Sequence, residues 1–199
     1  MAGTDQENLI AEAQRRYRVA DMLITMHSIL RDSNSRRAIA LDSEMFLSSI
    51  VIAALAFVDP DLLDWLPWDE DSTRVAIGLI AVFTFFIGLV SARVDWKGKA
   101  DAHARAAKGY TEAKFKLDFR DRKYDEEAIR RSLAQYEEVG RGTIPIPESQ
   151  FLRLKAEHYK KNSLSRILDR FPAASIRLTR LRLRFRHTRK AWGEKEDSS

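Results

Sequence analysis

Two stretches of the chain carry no charge, and everything around them is strongly polar. Residues 45–58 read MFLSSIVIAALAFV and residues 75–92 read VAIGLIAVFTFFIGLVSA. The second run has 18 residues. At ~1.5 Å per residue such a helix reaches about 27 Å, close to the ~30 Å hydrocarbon core of a bilayer. It predicts a membrane-crossing helix over about 74–94. The competing reading is a buried helix of a soluble protein. Such a helix is apolar on every face, including Phe83, Phe85 and Phe86, and the rest of the chain has few apolar stripes to cover it. The first run has 14 residues and reaches only about 21 Å. Extended back to Ala38 it covers about 38–58 and takes in Asp42 and Glu44. Those two then fall near the lipid–water interface, where a charge costs less than at the midplane.

The polar parts show helical spacing. Leu9, Ala13, Tyr17, Ala20, Ile24, His27 and Leu30 recur every three or four residues, so 5–31 predicts an amphipathic helix. The sequence DSNS at 32–35 interrupts this pattern and offers N-cap residues for the next helix. After the second apolar run only Gly98 could break the helix, which is expected to continue to about Asp121. Along it Trp96, Ala100, His103, Ala107, Tyr110, Lys114 and Leu117 form a heptad-like seam. Lys114 weakens that seam, whereas the alanines and Gly109 permit close approach by a neighbour. That neighbour is either the N-terminal helix or the same helix of another subunit. A further helix is expected over about 125–139, stopped by Gly140 and Gly142. TIPIPES, 143–149, must be extended, because each Pro disfavours the α region for the residue before it. A last regular helix is expected over about 148–170. No strand or solenoid repeat is evident.

Charge orients these pieces. The whole chain of 199 residues is only mildly basic, at net +5, with a mean hydropathy of −0.37. That average conceals two apolar runs diluted by a polar remainder. Residues 59–74 hold six acids and only Arg74, whereas 93–199 hold 27 Lys and Arg against 16 acids. Arg31, Arg36 and Arg37 precede the first run, and Arg93, Lys97 and Lys99 follow the second. Basic flanks stay on the cytoplasmic side. The expected arrangement is therefore all-α. It comprises an amphipathic helix (1–35), a two-helix transmembrane hairpin (36–94) with an acidic outer connector (59–73), a cytoplasmic helical region (95–170) and an Arg-rich end (171–199). Both termini are cytoplasmic. Trp65 and Trp68, beside Pro60 and Pro67, suit an interfacial anchor, or simply loop packing. No secretory signal or lipidation box is visible.

Catalytic chemistry is hard to find. With no cysteine there is no disulfide, thiolate metal site or cysteine nucleophile. Walker A, GxGxxG, HExxH and GxSxG are all missing. The four histidines, at 27, 103, 158 and 187, fall on separate expected helices, and no carboxylate pair stands out. The expectation is a non-enzyme without cofactor. No ionisable residue lies within 45–58 or 75–92, which argues against a proton relay or charged transport site. Gly88 and Ala92 have the small-xxx-small spacing of associating membrane helices. The segment 177–190, RLTRLRLRFRHTRK, alternates strictly only over 180–186, as a strand would, but with nothing to pair with it is expected to be a helix. It sets Arg177, Arg180, Arg182, Arg184, Arg186, Arg189 and Lys190 among apolar residues. This segment suits an anionic membrane surface, a nucleic acid, or no partner at all.

The layout of an amphipathic helix, two membrane helices and the run WKGKADAHARAAKGYTEAKFKLDF at 96–119 resembles the SLATT superfamily. The name abbreviates "SMODS and SLOG-associating two-transmembrane effector". Trp96, His103 and Tyr110 carry the resemblance, with TIPIPES running into FLRLKAEHY. It covers roughly 8–170 and leaves out the Arg-rich end. It implies a bacterial conflict-system effector in the inner membrane. Such an effector oligomerises on an infection or nucleotide signal and forms a pore or perturbs the bilayer. Implied partners are a sensor, a nucleotide second-messenger synthase or a reverse transcriptase. The alternative is a membrane-tethered module whose basic region holds nucleic acid or a protein.

Overall fold

The computed structural model describes residues 2–57, 70–118 and 126–181. These form five α-helices and, among the described residues, no strand: α1 (Ala2–Phe57), α2 (Glu70–Val94), α3 (Trp96–Lys116), α4 (Glu126–Gly142) and α5 (Glu148–Arg170). Residues 176–181 begin a further helical segment. Residues 59–69 of the expected connector, with Trp65 and Trp68, lie outside the described residues, and so do Arg182, Arg184, Arg186, Arg189 and Lys190. The last four residues of that connector, 70–73, form the first turn of α2.

The spine of the fold is α1. Its 56 residues extend about 84 Å at ~1.5 Å each, and every other helix packs against it. Antiparallel to it run α2 and then α3. Small residues make the α1–α3 contact close: Ala13 and Ala20 on one side and Ala106, Ala107 and Ala113 on the other are all buried. On one flank, α4 presents Ile129, Leu133, Tyr136 and Val139, which join Ala13, Ala20, Tyr110, Ala113 and Leu117 in one core cluster. A Cβ on Gly109 would lie 3.1 Å from Val139 Cγ1, so α3 and α4 approach closely there. The extended 143–147 segment then lets α5 pack beside the middle of α1. There Met26, Leu30 and Leu154 form a second cluster with Ile146 and Phe151.

Three boundaries depart from the sequence pattern. DSNS does not interrupt α1, which is continuous from residue 2 to residue 57. Ser, Asn and Asp cost a helix only a few tenths of a kcal/mol each. Asn34 is buried and Asp32 pairs with Arg31, so the packing offsets that cost. No break therefore separates 1–35 from the first apolar run. Similarly, α4 continues through Gly140 to Gly142.

The third departure is a break where continuity was expected. Asp95 adopts a left-handed backbone, φ 46° and ψ 59°, and ends α2. Its carboxylate accepts a hydrogen bond from the Gly98 N–H at 2.9 Å, capping α3. The helical bonding pattern still bridges the break, from Asp95 N–H to the Ser91 carbonyl and from Lys99 N–H to the Asp95 carbonyl. Asp and Asn tolerate this conformation better than other non-glycine residues. Asp95→Ala, losing both cap and tolerance, should destabilise the first turn of α3 by about 1–2 kcal/mol, and Asp95→Asn by much less. Hydrogen exchange of the amides at 96–99 reads this directly.

Candidate functional site

Two features stand out on this scaffold: an unburied apolar face on the α1–α2 pair, and a buried histidine network where α3 and α5 meet α1.

The rod from Arg74 to Lys116 contains an apolar window long enough to cross a membrane, and no residue of that window is buried inside the chain. Half-buried positions on α2 recur at Ile77, Ile80, Thr84, Ile87 and Ser91, and on α1 at Leu41, Met45, Ser48 and Ile52. These two stripes face each other. The opposite faces expose Phe46, Leu47 and Ile50 on α1, and Leu79, Val82, Phe83, Phe85 and Phe86 on α2. So large a contiguous apolar patch is exceptional on a soluble monomer.

Gly88 turns toward α1, where a Cβ would meet Met45 Cε at 3.7 Å, whereas Ala92 is exposed. Glu44 lies half-buried at the same level of α1. Its Oε1 accepts a 2.9 Å bond from the Ser48 hydroxyl, and its buried Oε2 has no hydrogen-bond partner among the described residues.

The seam residues on α3 sit mostly inside. Ala100, His103, Ala107, Tyr110 and Leu117 are buried, and Trp96 is half-buried. Their neighbours are α1 and α4 of the same chain. Lys114 is no longer an isolated charge in this seam. Its Nζ lies 2.5 Å from Asp21 Oδ1 and 4.9 Å from the Tyr17 ring centroid.

The histidine network was not legible from the separate helices. Nδ1 of His27 lies 2.9 Å from Nδ1 of His103, with both side chains buried. One nitrogen must donate and the other accept, so in the neutral pair one ring carries its proton on Nδ1 and the other on Nε2. The Tyr110 ring stacks on His27 at 5.7 Å between centroids, and its hydroxyl contacts Thr143 Oγ1 at 3.4 Å. Burial, and then the facing His103, push the His27 pKa down to about 4; burial also lowers that of His103.

The third buried histidine has a readable tautomer. The Thr25 hydroxyl donates to the Asp21 carbonyl at 3.1 Å, so toward His158 Nδ1, 3.1 Å away, it can only accept. His158 therefore carries its proton on Nδ1. Its Nε2 accepts from Asn162 Nδ2 at 2.9 Å. Burial lowers the His158 pKa, against a raising effect of Asp21. Thr25, His158 and Asn162 thus stitch α1 to α5, as His27 and His103 stitch α1 to α3. Among the described residues, no group of three or more His, Asp and Glu is placed to hold a metal ion. The signal in the sequence was the register: an antiparallel seam that opposes Ala13 to Leu117 also opposes His27 to His103.

At the far end, Arg177 and Arg180 lie exposed beside exposed Ile176, Leu178 and Leu181. No protein-family model matches the chain, and neither a curated protein nor a solved structure matches it at a significant level.

Proposed function

We propose that the chain is a membrane effector of a bacterial conflict system. In this reading α1 and α2 form a two-helix hairpin in the inner membrane, with both termini in the cytoplasm. The cytoplasmic bundle oligomerises on an infection or nucleotide signal and drives the hairpin to form a pore or perturb the bilayer. The observation that carries the reading is the apolar, unburied face of α2, directly continued into a bundle that grips α1. A helix without charge between 75 and 92 is suited to lipid rather than to water. The run at 96–119, with its likeness to SLATT proteins, adds the effector class and its partners: a sensor, a nucleotide second-messenger synthase or a reverse transcriptase.

The absence of cysteine makes the test clean. Ser72→Cys in intact cells should react with an impermeant maleimide, and Ser132→Cys should not. Induced expression of the active form should admit an impermeant dye. Labelling at position 132 overturns the topology; labelling as expected without dye entry or depolarisation overturns the effector mechanism and leaves a tethered module.

A further inference from the structure

The cytoplasmic end of α2 carries an arrangement that neither topology nor helix packing requires. The Arg37 guanidinium lies 4.7 Å from the centroid of the Trp96 ring, and the Lys99 ammonium lies 5.4 Å from the same ring. Two cations from different helices are thus gathered on one indole. Cation–π attraction holds each of them. Among the described residues neither forms an ion pair. The neighbouring acid, Asp95, accepts the Gly98 N–H on Oδ1 and is not ion-paired with either cation. The cluster therefore offers two cations without an ion-pair partner among the described residues, gathered on one aromatic ring.

Its surroundings define the anion. Trp96 begins α3, immediately beyond the apolar run of α2. That run exposes apolar side chains, among them Leu89, about two helical turns before Trp96. A free anion in water has no use for an adjoining apolar helix, whereas a phospholipid presents a phosphate above two acyl chains. We propose that Arg37, Trp96 and Lys99 form a binding site for the phosphate of an anionic phospholipid, with its acyl chains beside the apolar run of α2. The proposal rests on the reading of α2 as a membrane helix. It adds a lipid selectivity, set where the hairpin joins the cytoplasmic bundle, so that lipid binding ties α1 to the start of α3.

The test uses the full chain in lipid nanodiscs with Trp65, Trp68 and Trp192 replaced by Phe, which leaves Trp96 as the only tryptophan. Phosphatidylglycerol or phosphatidylcholine brominated on its acyl chains is added at the same minor fraction, and Trp96 fluorescence is recorded. The brominated phosphatidylglycerol should quench as though enriched at least about fivefold, the factor matching ~1 kcal/mol for a basic residue near an anionic surface. Arg37→Gln with Lys99→Gln should remove the difference. Equal quenching by the two lipids overturns the site, as does a difference that survives in the double variant. A difference abolished by inorganic phosphate assigns the cluster to a free anion and overturns the lipid proposal. No quenching by either lipid places Trp96 away from the bilayer, and then the membrane reading of α2 fails with it.

Discussion

Lowering the pH from 7 to 4 should remove about 3 kcal/mol from the stability of the bundle of α1, α3, α4 and α5, with His27 as the main source. In the folded chain its pKa is about 4, against an ordinary value of 6.5. A depressed folded pKa means that the unfolded chain binds the proton more readily. The contribution is fully present above pH 6.5 and is lost as the pH falls toward 4. His103 and His158 shift in the same direction and deepen the loss. The cause is burial, which disfavours either imidazolium, and then the facing His103: with both rings charged, two N–H donors would oppose each other at 2.9 Å. Chemical denaturation in detergent, followed by far-UV circular dichroism at several pH values, measures the effect. Replacing both residues, His27→Leu with His103→Leu, removes both buried polar groups together and should be nearly neutral at pH 7. It should flatten most of the decline between pH 6.5 and 4. An unchanged decline in that double variant would assign it elsewhere. Glu12, held down to about 2 by hydrogen bonds from Arg15 and Arg16 against an ordinary value of 4.5, loses its contribution as the pH falls through the ordinary carboxylate range; that smaller share begins at the acid end of this window and is retained in the double variant.

The same pair shows where reading a sequence reaches its limit. Periodicity located the elements well when a single helix buried a single stripe. Glu148–Arg170 begins and ends as its flanking Pro147 and Phe171–Pro172 suggest. Ala100, His103, Ala107, Tyr110 and Leu117 lie on the buried stripe that their spacing describes. Continuity was harder to read, because it is decided by tertiary contacts. DSNS looks like a cap, yet the packing of Asn34 and the Arg31–Asp32 pair keep α1 helical through it. Asp95 looks like an ordinary helical residue, yet its backbone turns left-handed to let its carboxylate cap α3. The pairing of His27 with His103 spans 76 positions and needs the register of two long helices, which no local pattern contains. The Asp21–Lys114 contact, 93 positions apart, was hidden for the same reason. It turned a residue that looks damaging in the seam into a cross-link between α1 and α3.

Phe83→Arg should have its largest effect in a membrane and almost none in water, which makes it the sharpest test of what α2 touches. Phe83 lies near the middle of the 75–92 run and is 57% exposed within the chain. If solvent covered that face, an exchange of Phe for Arg at an exposed position would change stability by no more than about 0.5 kcal/mol. If lipid covers it, an Arg near the helix centre costs about 2.5–3.5 kcal/mol on insertion. That is a loss of roughly a hundredfold in the inserted fraction. Leu152→Arg on α5 provides the matched control, since Leu152 is equally apolar and 76% exposed but lies outside the apolar runs. Carbonate extraction of membranes should release the Phe83→Arg protein and retain both the parent and the Leu152→Arg protein. The two exposed residues are indistinguishable by accessibility alone. Only the medium in contact with them separates them, and an unreleased Phe83→Arg protein would mean that the outer face of α2 meets something other than lipid.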